Sequence, residues 1–136
     1  MKRLILALVA VLISTNTLHA AKFKWSDERF TVGKSSKFYL DKATVKRIGN
    51  YIYYWSLGDY LKFEEDDHPD IKSVITHNRV DCNDSDLGYQ MLIFSAFTDN
   101  MGKGKIVFHD AENPDIEKRY DAKDSVAYLR HEKLCN

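Results

Sequence analysis

The chain has 136 residues, 44% of them hydrophobic, and carries 20 basic against 20 acidic side chains. That balance excludes a protein built around a basic nucleic-acid footprint, and no run of interleaved aromatic and basic residues offers a stacking platform for single strands. The length supports one domain with one modest core.

The sequence opens on Met1-Lys2-Arg3, runs through ten apolar residues from Leu4 to Ile13, turns polar at Ser14 and reaches Leu18-His19-Ala20-Ala21. This charged, apolar, small-residue order predicts a secretory signal peptide over residues 1–20, with Ala21 as the alternative cleavage point. The apolar run is too short for a spanning helix, which needs about 20 such residues. No cysteine stands near the cut to take a lipid, so the expectation is a soluble domain over residues 21–136, periplasmic or secreted, without stable membrane insertion. Removing Lys2 and Arg3 leaves 18 basic against 20 acidic residues, a net charge of about −2.

Lys22 to Ser36 reads as a short strand or arm carrying Phe23, Trp25 and Phe30, with a turn near Gly33. Phe38-Tyr39-Leu40 begins a strand, Asp41-Lys42-Ala43 is a turn or bulge, Val45 to Ile48 resumes, and Gly49-Asn50 punctuates. Tyr51 to Leu57 is the strongest strand signal. Alternation sets Tyr51, Tyr53, Trp55 and Leu57 on one face and Ile52, Tyr54 and Ser56 on the other. Glu64 to Asp70 is an acidic loop. Ile71 to Val80 is a strand alternating Val74, Thr76 and Asn78 against Ser73, Ile75, His77 and Arg79. Tyr89 to Thr98 is another, Asp99 to Gly104 a hairpin connection, and Lys105 to His109 the return strand. After a polar stretch containing Pro114, Asp124 or Ser125 caps a final helix whose apolar stripe holds Val126, Leu129 and Leu134, with Ala127 and Tyr128 close by.

The two cysteines are Cys82 and Cys135, and an even count in an exported chain favours a disulfide between them. It would close a 53-residue loop, worth about 4 kcal/mol by chain entropy, and would hold the terminal helix against the start of the Tyr89 strand. Without a C-x-x-C pair, redox catalysis is not indicated.

Candidate sites thin out on inspection. Gly102-Lys103-Gly104-Lys105 lacks the longer loop and the Lys-Ser or Lys-Thr of a phosphate loop, and Ile106 begins a strand instead of a helix. Asp81, Asn83, Ser85 and Asp86 start like a calcium loop, yet Asp86 stands where that loop needs glycine and Leu92 where it needs glutamate. His68 with Asp66, Asp67 and Asp70 reads as a solvated acidic loop, and His77, His109 and His131 are too scattered for a zinc set. No Gly-x-Ser-x-Gly elbow or distinguished carboxylate pair is present. The reading is a protein that is not an enzyme and takes no cofactor and no metal. Asn83-Asp84-Ser85 is a formal glycosylation sequon.

The aromatic surplus is the better lead. Eight Tyr, seven Phe and two Trp are more than a small core readily buries. Tyr51, Tyr53, Tyr54 and Trp55 are therefore the candidate partner surface, for another protein or a second copy of the chain.

Phe38-Tyr39-Leu40-Asp41, then Val45-Lys46-Arg47-Ile48-Gly49-Asn50, then Tyr54-Trp55-Ser56-Leu57-Gly58-Asp59-Tyr60 resembles the bacterial surface-adhesin protein E family. The order continues with Ser73, Val80-Asp81-Cys82, the Tyr89 strand, Gly102 to Lys105, Ser125 and Cys135, about 100 residues in all. The resemblance implies an α+β fold, an antiparallel β-sheet with a C-terminal α-helix tethered by a disulfide, here Cys82 to Cys135. It implies export in a Gram-negative bacterium and adhesion to extracellular matrix or serum proteins such as laminin, vitronectin and plasminogen, by a protein that forms dimers at the outer membrane. The chain departs in having no lipid-anchor cysteine and no matching basic cluster, and in Ala122-Lys123-Asp124 where relatives carry a Pro-Gly turn. The fold therefore transfers better than the adhesion. The rival expectation is a periplasmic structural or envelope-stress protein with no host ligand.

Overall fold

Strand-favouring aromatics and β-branched residues at a two-residue period dictate a sheet with two different faces. A computed structural model describes residues 22–28, 36–60, 70–110 and 117–136. The leader, the turn expected near Gly33, the acidic loop up to Pro69 and Pro114 lie outside them.

The described strands form one antiparallel sheet. They are β1 (Ser26–Asp27), β2 (Ser36–Leu40), β3 (Lys46–Ile48), β4 (Tyr51–Tyr60), β5 (Ser73–Asp81), β6 (Tyr89–Phe97) and β7 (Ile106–Asp110). Their order is β1-β2-β4-β5-β6-β7, with β3 also on β4. Strand β4 meets β5 in a nine-residue register from Tyr51↔Asp81 to Asp59↔Ser73, and the ladder continues into β6 past a bulge between His77 and Asn78.

The expected break after Leu40 has a definite form. Strands β2 and β3 pair with the same edge of β4, at residues 56–60 and 51–53. Between them a 3-10 turn over Lys42–Thr44 lifts the chain off the ladder, and Asp41 caps it by accepting from the Ala43 N–H at 3.0 Å. The Trp55 N–H, left without a strand partner at the break, donates instead to Thr44 Oγ1 at 3.1 Å. A side chain thus replaces a ladder bond where a bare N–H would be costly.

The final helix, α1 (Val126–Cys135), starts at Ser125, whose hydroxyl accepts from the Tyr128 N–H. It packs on the face of Ile52, Tyr54 and Val80 with Ala127, Leu134 and Cys135. Cys82 and Cys135 are joined, their Cα atoms 5.4 Å apart. The fold is therefore α+β, an antiparallel sheet with a disulfide-tethered C-terminal helix.

The opposite face has a buried half and an open half. Leu57, Ile75 and Phe97 are covered by Phe23, Trp25 and Met101. Burying each such side chain is worth about 1.5–3 kcal/mol. Met101 belongs to the β6–β7 connection, where Gly102 takes φ +68° and any Cβ would stand 2.5 Å from Ile75 Cδ1. The Gly-Lys-Gly-Lys sequence is this connection. Toward Tyr51 nothing among the described residues covers the sheet in the same way, and Tyr51 is 36% exposed.

Candidate functional site

The open half of that face is a row of rings with a guanidinium laid across its end. Register puts Trp55 opposite His77 and Tyr53 opposite Arg79. The Trp55 and His77 rings stack at 4.6 Å and 12°, and Tyr53 stands 6.1 Å from His77. The Arg79 guanidinium lies 5.1 Å from the Tyr51 ring centre and 5.9 Å from that of Tyr53, within cation–π range. Its Nε donates to Gln90 Oε1 at 2.9 Å, its Nη2 reaches the same oxygen, and its Nη1 donates to the Tyr53 hydroxyl at 3.4 Å. Cross-strand pairing on the β4-β5-β6 ladder thus fixes both rings and cation before any ligand arrives.

Beside this row, the break between β2 and β3 opens a groove of about 750 Å³. Its floor is Phe23, Tyr53, Trp55 and His77, its wall Ala43 and Thr44, and its rim Lys22, Lys46 and Ile48. Phe23 bridges both tryptophans, with centroids 4.8 Å from Trp25 and 5.1 Å from Trp55. Asp41 also borders the groove, but both of its oxygens are engaged by backbone N–H groups, of Lys24 and Ala43. At 3% exposed it presents little charge outward.

Of the four aromatics expected at a partner surface, Tyr51, Tyr53 and Trp55 share the open face. Tyr54 requires correction, because it is fully buried under α1 on the other face. The period-two alternation that separates it from its neighbours is the reason. Its hydroxyl lies 2.5 Å from His131 Nε2. Burial pushes the Tyr54 phenol up to about 12.

That buried side holds residues the apolar stripe of the helix did not foreshadow. Val126 is buried as expected, but so are Arg130 and His131. Arg130 makes a bidentate pair with Glu28, Nε to both carboxylate oxygens at 2.8 Å, and lies 5.6 Å from the Tyr54 ring centre. Burial first, and the Arg130 charge second, push the His131 imidazole down to about 3, so it is neutral beside the Tyr54 hydroxyl. Tyr89 packs on His131 at 4.7 Å and donates to Asp121 at 2.9 Å. Burial and that carboxylate raise its pKa. These polar contacts fix the helix in place.

The acidic turn after β5 converges on a lysine. Lys118 Nζ lies 2.9 Å from Asp81 and 3.5 Å from Asp84, and Tyr120 donates to Asp84 at 3.0 Å. His77, His109 and His131 fall in three separate settings: the ring row, a 2.8 Å contact with Ser95, and the helix interface. Among the described residues no group of His, Cys, Asp and Glu is placed to hold a metal, and no helix is long and apolar enough to cross a membrane.

The domain is thus an antiparallel sheet with a stapled helix on one face and a row of rings and a cation on the other. Its sequence matches the surface-adhesin protein E family profile over residues 28–136, and the chain belongs to that family. Membership points to a non-catalytic binding role. No curated protein matches the sequence.

Proposed function

We propose that this chain is an exported, non-catalytic, adhesin-like binding protein, and that a protein partner docks on the Tyr51, Tyr53 and Arg79 end of the open face. The observation that supports this most directly is Arg79, held by Gln90 and flanked by two tyrosines at the uncovered end of the sheet. Tyrosine, tryptophan and arginine concentrate binding energy at interfaces. A cluster already ordered loses little freedom when a partner arrives. Family membership favours a binding role over a catalytic one. Extracellular matrix and serum proteins are the partners to try first, with export directed by residues 1–20.

The test is binding of the disulfide-intact protein to immobilised laminin, vitronectin and plasminogen, beside the double variant Tyr51→Ala, Arg79→Ala. The reading expects saturable binding to at least one of them, weakened about thirtyfold or more by the double variant, as for hot-spot losses of about 2 kcal/mol. Absence of binding to all three, with the protein confined to the periplasm on cell fractionation, would instead favour a structural envelope role.

A further inference from the structure

The groove at the β2–β3 break shares Tyr53 with the Arg79 end, but its other rings and both of its lysines lie outside that end. Its volume of about 750 Å³ falls in the range of about 300–1,000 Å³ usual for small-molecule sites. The floor is continuous ring surface: Phe23, Trp55, His77 and Tyr53 follow one another at centroid spacings of 5.1, 4.6 and 6.1 Å. The charge offered outward is positive. Lys22 and Lys46 stand exposed at the rim, while Asp41 spends both oxygens on backbone N–H groups and is 3% exposed. Thr44 Oγ1 is also occupied, donating to Asp41 O at 2.7 Å and accepting from the Trp55 N–H. The Tyr53 hydroxyl accepts from Arg79 Nη1, which leaves its own proton to donate.

We infer that this groove binds a small amphiphilic anion, an apolar or ring body bearing one carboxylate or sulfonate. The body would lie on the Phe23 to Tyr53 ring floor. The anionic head would reach Lys46 and Lys22 at the rim, where a charge-assisted hydrogen bond is stronger than a neutral one. A neutral amphiphile would keep the floor contacts and forgo the head. A long acidic peptide would use the lysines but not fill the floor.

The chain has two tryptophans, Trp25 and Trp55, and both pack on Phe23, so their emission reports on this site. The test titrates anilinonaphthalene sulfonate into the folded, disulfide-intact protein at low salt and reads energy transfer from tryptophan. One saturable site is expected, displaced by octanoate about tenfold more effectively than by octanol, as loss of one charged hydrogen bond implies. Lys46→Glu, at an exposed edge-strand position, should weaken the dye about tenfold or more with the far-ultraviolet circular dichroism unchanged. Lys22→Gln, outside the sheet, is the second variant should Lys46→Glu disturb β3. Absence of transfer, equal displacement by octanol, unchanged affinity in both lysine variants, or displacement by a poly-glutamate peptide but not by octanoate would each overturn the inference. Because the readout is independent of laminin, vitronectin and plasminogen, its failure leaves the docking proposal untouched, and the reverse holds.

Discussion

The Tyr54 hydroxyl and His131 Nε2 lie 2.5 Å apart beneath the terminal helix, joining residues 77 positions apart in sequence. His131 is 1% exposed, with its pKa lowered to about 3. In the unfolded chain it takes a proton near pH 6.5, while in the fold it stays neutral. Stability from this residue is therefore full above about pH 6.5 and falls as the pH drops from there toward 3, by up to about 1.4 kcal/mol per unit. Urea unfolding of wild type and His131→Gln between pH 7 and 4 checks this. The difference in stability between them should shrink steadily with acidification, and a pH-independent difference would show that His131 is not held neutral.

The Glu28–Arg130 pair has side chains 6% and 9% exposed. Glu28→Gln leaves a buried guanidinium without its counter-charge and should cost about 3–5 kcal/mol. Replacing both together, Glu28→Leu with Arg130→Met, should cost less than Glu28→Gln alone. Equilibrium denaturation of the three proteins decides it, and a single-variant loss under ~1 kcal/mol would mean that water reaches the pair.

Replacing Cys82 and Cys135 by serine reopens a loop with a sequence separation of 53 and should lower stability by about 4 kcal/mol. The amides of α1 should then exchange with solvent well before those of β4 and β5. Uniform loss of protection across sheet and helix would contradict a tether acting mainly on the helix.

Gly102→Ala should destabilise by about 1–3 kcal/mol, since the residue holds φ +68° and its new methyl would press on Ile75 Cδ1. Restoring space with Ile75→Val in the same chain should recover only the packing part of that loss. Thermal unfolding of both variants separates backbone strain from overpacking.

Much of this architecture was legible in the residues. The Tyr51 to Leu57 alternation separated the two faces correctly, but it did not say which face a helix would close, so Tyr54 was placed at the partner surface with its neighbours although it is buried. The cap was readable as Asp124 or Ser125, of which the structure uses Ser125, and the bridge was readable because Cys82 and Cys135 are the two cysteines. What escaped was polarity in buried places. The interior stripe of α1 includes Arg130 and His131, and hydropathy assigns such residues to solvent because it cannot see partners distant in the chain. Glu28, 102 residues from Arg130, carries no local mark of its role. The groove was equally hidden, since it arises from the excursion over Lys42–Thr44 and from Phe23 folding back on Trp55.

The position of the tethered helix also sets an order of events during synthesis. Chain emerging from the ribosome or through a translocation pore carries the whole of β4, β5 and β6 before the partners that close their inner face arrive. Until residues 126–135 appear, Ile52, Tyr54 and Val80 lack their cover, and Cys82 lacks its partner thiol. Cys82 must therefore wait for a cysteine 53 positions later, and in that interval the sheet can form its ladder without being sealed by the helix.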